Sequence, residues 1–102
     1  MNVLHFLSAP AGSSSAESFW AETASQLKAR RDVSAYCFHE GGTALQDPRL
    51  ASLVAQGLRL FSCPRAAETF GGGASTQATL GGPGLLAELM ERAAAFRSFD
   101  PT

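Results

Sequence analysis

Few residues in this 102-residue chain announce a chemistry by themselves. It has two cysteines, Cys37 and Cys63, and two histidines, His5 and His39. Two cysteines are no disulfide framework for a chain of this size. Without a Cys-x-x-Cys pair or a close run of histidine and carboxylate ligands, they also make no zinc motif, so no metal is expected. Cys37 reads as a core cysteine and His39 as a solvated loop histidine. Charged residues are 17% of the chain and the net charge is -1. With no basic run, this gives no electrostatic case for binding nucleic acid or an anionic membrane. No segment approaches the about 18 consecutive apolar residues of a membrane span. The opening Met1 to Leu7 lacks a charged segment and holds His5, which argues against a signal peptide. Free thiols and no leader point to a cytoplasmic protein. No Gly-x-Gly-x-x-Gly opens a helix after the first strand, and no Gly-Lys-Ser/Thr is present, so no nucleotide cofactor is expected.

Hydrophobic residues make up 45% of the chain, enough for one modest core, so residues 1–102 form a single domain. Asn2 to Leu7 reads as a strand, followed by a loop of small residues. Ser14 with Glu17 three residues later has capping-box spacing. The helix it opens carries Ala16, Phe19, Trp20, Thr23, Ala24 and Leu27 on one face. Val33 to Phe38 is almost continuously apolar, as in a strand covered on both faces. His39 to Thr43 reads as a loop. Asp47-Pro48 starts a short helix lined by Leu50, Leu53 and Val54 and closed by Gly57. After residue 70, Gly71 to Gln77 reads as a flexible loop and Ala78 to Leu80 as a short strand. Gly81 to Gly84 opens a last helix striped by Leu85, Leu86, Leu89, Met90 and Ala93, and Ala94 to Phe99 is a final strand. This alternation predicts a three-layer α/β/α domain with a mainly parallel sheet of four or five strands. The low charge predicts that apolar faces are shared in an oligomer, through the helix around Leu50 to Val54 and the segment after Cys63.

The stretch Leu58 to Ala67 reads as a central strand that ends at Cys63, with Pro64 opening a helix that Gly71 ends. Cys63 then stands where a strand's carboxyl end meets a helix's amino end. Unpaired N–H groups and the positive pole of the helix dipole meet there and favour negative charge. The thiolate is the nucleophilic form of cysteine. Arg65 adds positive charge nearby, and His39 is a candidate acid or base at a neighbouring strand end. Chemistry in such sheets gathers outside the carboxyl ends of the strands, where the Ser8 to Ser15 loop, the His39-Glu40 loop, Cys63 and the Gly81 to Gly84 turn all fall. The competing reading of Cys63 is a small apolar residue used for packing.

Leu58 to Cys63 followed by Pro64-Arg65-Ala66-Ala67 resembles the cysteine segment of the DsrE/TusD sulfur-transfer family. Tyr36-Cys37-Phe38-His39-Glu40-Gly41 is similar to that family's second strand and following turn. Thr79 to Glu88 resembles its small-residue turn before the last helix. The resemblance implies a flavodoxin-like or doubly wound sheet. It implies that Cys63 carries persulfide sulfur between donor and acceptor proteins, in homo- or hetero-oligomers built of trimers or hexamers. Two other functions fit the same residues: a non-catalytic oligomeric interaction subunit, and a thiol redox sensor using Cys63, alone or with Cys37.

Overall fold

The computed structural model describes residues 2–72 and 78–101; the expected loop of residues 73–77 lies outside them. Five strands form one fully parallel sheet: β1 (Asn2–Leu7), β2 (Asp32–Cys37), β3 (Arg59–Ser62), β4 (Thr79–Leu80) and β5 (Ala95–Phe99), in the order β4-β3-β2-β1-β5. The helices are α1 (Ser14–Lys28), α2 (Arg49–Ala55), α3 (Pro64–Phe70) and α4 (Pro83–Arg92), with a 3-10 helix over His39–Gln46. The expected α/β architecture is present, with every pairing parallel.

The middle place in the sheet belongs to β2, which is buried without a break from Val33 through Cys37. The strand before Cys63, expected to be central, lies one place in from the edge, between β2 and the two-residue β4. Chain order misleads here because α4 carries the chain across the sheet and β5 pairs with β1 at the far side.

Sheet alternation divides the side chains. Leu7, Val33, Ala35, Cys37, Leu60 and Phe99 join Phe19 and Trp20 of α1 and Leu50 and Leu53 of α2 in the main core. On the opposite face Phe6 stacks against Tyr36 and Phe38, with ring centroids 6.1 and 5.7 Å apart.

The α1 stripe is buried as its periodicity requires, but its cap sits one residue earlier than the capping-box spacing implies. Ser13 is the N-cap, its hydroxyl accepting from Ala16 N–H at 3.2 Å. Glu17 is thereby freed from the cap and pairs with Arg49 at 3.0 Å. At the other end, Arg30 N–H donates to the Leu27 carbonyl and Arg31 N–H to that of Gln26. This Schellman closure puts Arg30 at φ 61°, where glycine is usual. In α2, the Asp47 carboxylate accepts from Arg49 N–H at 2.8 Å, and Gly57 closes the helix at φ 109°.

Two expectations change. The leucine side of the Leu50 to Val54 helix is not open to a partner, since Leu50 and Leu53 lie in the core and the exposed side carries Arg49, Ala51, Ser52 and Ala55. Conversely, no residue of α4 is fully buried although its leucine stripe is present. Phe38, Leu80, Met90 and Phe96 stay between 43% and 53% exposed; Phe38 and Phe96 neighbour Phe6 on the α4 side of the sheet, whereas Leu80 sits on the edge strand β4 in register with Ser62.

Candidate functional site

The segment after β2 is a 3-10 helix rather than an open loop, and its glycines show why. A Cβ on Gly41 would overlap the Leu7 carbonyl oxygen, and one on Gly42 the Ala66 carbonyl oxygen. The two glycines therefore let this segment press against both the end of β1 and the first turn of α3. Thr43 fixes it further, accepting from Ala11 N–H and donating to the Glu40 carbonyl, each at 2.8 Å. His39 stands at the start of the 3-10 helix with φ 51°, and its side chain is 65% exposed.

Cys63 is the N-cap of α3, with Pro64 in the first helical position and Gly71 at the end. Its N–H donates to the Cys37 carbonyl at 3.0 Å, which ties the end of β3 to β2. The first helical bond is that of Ala67 N–H to the Cys63 carbonyl. The N–H groups of Arg65 and Ala66 precede it and face the cap, where Pro64 has no N–H to offer. The thiol itself is half-buried.

An open cleft of about 330 Å3 lies over this junction. Cys63, His39 and Arg65, the three residues picked out in the sequence, all line it. Phe38, Ala66, Thr69 and Phe70 complete its wall. The sequence reading missed Phe38, Thr69 and Phe70, although Phe70, like Ala66, falls at helix-face spacing after Cys63. The His39 ring lies 5.4 Å from that of Phe70 and 6.4 Å from that of Phe38. Gln46 donates to the Phe70 carbonyl at 2.7 Å and fixes the far end of α3. Glu40 lies 3.9 Å from His39 Nδ1, beyond hydrogen-bond reach.

The second cysteine is of another kind. Cys37 is fully buried in the core, and burial pushes its thiol up to about 12. It stays a neutral thiol at ordinary pH and has no exposed surface, whereas Cys63 is half-buried. His5 is likewise internal, 2% exposed, with Nδ1 2.9 Å from the Thr23 hydroxyl. Among the described residues, no cluster of three or more His, Cys, Asp or Glu side chains is placed to hold a metal.

The expected convergence at the carboxyl edge of the sheet is partial. Ser8 N–H and Ala9 N–H both donate to the Phe99 carbonyl, and the Ser8 hydroxyl donates to Asp100 at 2.8 Å. The gap between β1 and β5, where strand order reverses and ligands bind in many such sheets, is thus filled by the protein's own groups. The Gly81 turn does adjoin Cys63. Gly81 N–H donates to the carbonyl of Ser62, and the Gly81 carbonyl accepts from Tyr36 Oη at 2.6 Å. Burial pushes the Tyr36 phenol upward.

No protein-family model and no curated protein matches the chain. Its fold is similar to that in the crystal structure of the ychN protein from E. coli, with a TM-score of 0.74 over 96% of this chain and 97% of that one, at 18% identity. At that identity the likeness is one of fold. Among the described residues no helix is long and apolar enough to cross a membrane.

Proposed function

We propose that this chain is a persulfide carrier of the DsrE type, with Cys63 as the sulfur-bearing nucleophile, working in a reducing cytoplasm between donor and acceptor proteins. The observation that carries the reading is the contrast between the two thiols: Cys63 opens into a cleft at a strand-to-helix junction, whereas Cys37 is sealed in the core. The Cys63 thiolate attacks the outer sulfur of a donor R–S–SH. The donor's S–S bond breaks, its electron pair leaves with the R–S sulfur, and that sulfur takes a proton to give R–SH. Cys63 is left as a persulfide, and an acceptor thiolate removes the outer sulfur by the same exchange. In this reading His39, which lines the same cleft, is the group assigned to take the thiol proton, and Arg65 on the first turn of α3 the positive charge assigned to the resulting anion. No oxidant enters or leaves the balance.

A carrier must also meet its partners. Phe38 and Phe96, which both neighbour Phe6, and Met90 of α4 are half-exposed, and we read this apolar surface as the one through which the chain assembles into trimers or hexamers. The same face supports the reading as a non-catalytic interaction subunit. Redox sensing through a Cys37–Cys63 pair fits less well, because Cys37 is buried and protonated.

Intact mass after incubation with a persulfide donor tests the proposal. One added sulfur that is lost in Cys63→Ser and kept in Cys37→Ser is the expected result. No added sulfur, or sulfur mapped only to Cys37, overturns it.

A further inference from the structure

The Cys63 cleft is larger than a sulfur atom needs and is chemically two-sided. Its volume of about 330 Å3 has room for roughly ten non-hydrogen atoms, taking about 30 Å3 for each as for water in the liquid. Phe38 and Phe70 give it aromatic walls, while Arg65 stands on the first turn of α3 beside the sulfur. Arg49, Arg92 and Arg97 each pair with a carboxylate of the chain. Arg65 forms no such pair among the described residues and is exposed at the cleft. A guanidinium offers five donors in a planar fork that matches a carboxylate. An apolar body against two phenyl rings, with an anionic end at Arg65, is therefore the ligand shape this cleft complements.

The geometry points to a small organic thiol or persulfide that carries a carboxylate as the direct sulfur donor or acceptor at Cys63, with Arg65 reading the carboxylate and Phe38 and Phe70 holding the carbon chain. This rests on the persulfide-carrier reading and puts a small molecule in place of one of its two protein partners. The exchange is the one already given: the Cys63 thiolate takes the outer sulfur of HOOC–R–S–SH, and the released HOOC–R–SH keeps the electron pair of the broken bond and one proton.

Three donors distinguish the outcomes: the persulfide of 3-mercaptopropionate, that of its methyl ester, and inorganic polysulfide. Loading of Cys63 is followed by intact mass against time. The acid is expected to load about fivefold faster than the ester, the upper range of what an exposed ion pair supplies. Arg65→Gln is expected to erase that preference, and Arg65→Lys to restore part of it. A second measurement needs no transfer. The sulfur-free 3-phenylpropionate is expected to slow alkylation of Cys63 by the neutral reagent iodoacetamide in wild type but not in Arg65→Gln. If polysulfide loads Cys63 while acid and ester load equally and 3-phenylpropionate gives no protection, the substrate class is wrong and the carrier reading stands. If no donor loads Cys63, both fall.

Discussion

Tyr36 Oη lies 2.6 Å from the carbonyl oxygen of Gly81 and donates to it. Gly81 N–H in turn donates to Ser62, the residue before Cys63. One side chain on the middle strand thereby holds the entry to α4 against the end of β3, next to Cys63. Tyr36→Phe removes only the hydroxyl. It is expected to cost about 1 kcal/mol in urea denaturation, the usual net worth of one hydrogen bond. Alkylation of Cys63 should also quicken as the Gly81 segment loosens. Unchanged stability together with an unchanged alkylation rate would show that the bond anchors nothing.

The two thiols should behave oppositely in native protein. At pH 8, iodoacetamide is expected to modify Cys63 alone, and Cys37 only after addition of denaturant, since Cys37 is buried and held as a thiol. Peptide mapping of the alkylated sites reads this directly. Modification of Cys37 at a comparable rate in the folded state would contradict the placement.

His5 makes stability depend on pH. Burial lowers its pKa below the ordinary 6.5; nearby Glu22 pushes it the other way and Arg97 lowers it further. The folded protein thus binds fewer protons than the unfolded chain just below pH 6.5. Stability should be fully present above that pH and should fall as pH drops from about 6.5 through the lowered folded value. His5→Gln keeps a polar partner for Thr23 without titrating there. Its unfolding free energy is expected to be flatter across pH 7 to 5 than that of wild type. Parallel curves for the two proteins would mean that His5 is not responsible.

Arg30 occupies the left-handed position that closes α1. A non-glycine residue there costs about 1 kcal/mol or more, offset in part by the extra freedom that glycine gives the unfolded chain. Arg30→Gly is expected to stabilise the fold by a few tenths to about 1 kcal/mol. A lower denaturation midpoint in this variant would overturn the assignment of strain.

The uncovered apolar face should be shared between chains. Sedimentation at micromolar concentration is expected to give a mass of several chains, and Met90→Ser with Phe96→Ser is expected to shift it toward one. A single-chain mass for the wild type would refute assembly through this face.

Periodicity in the sequence determined the alternation of strands and helices, the buried stripe of α1 and the cysteine at the β3–α3 junction. These follow from local facts: which residues repeat at a helix or strand period, where proline removes an N–H, where glycine closes a helix. Local spacing fell short at Ser14, because three consecutive serines offer equally good caps and the backbone of residue 13 makes the choice. The tertiary structure alone decided that β2 occupies the middle of the sheet, since pairing across the sheet depends on how α4 crosses it. It also brought His39, Phe38 and Phe70 to the same cleft as Cys63. His39 and Cys63 are far apart in the chain, and their meeting depends on Gly41 and Gly42 letting the 3-10 helix press against β1 and α3. The α4 stripe shows the same limit from the other side. Its leucines have the period of a buried face, but a period states only that a helix has an apolar side. Whether that side is covered is set by what else lies against the sheet, and in this chain part of it stays open.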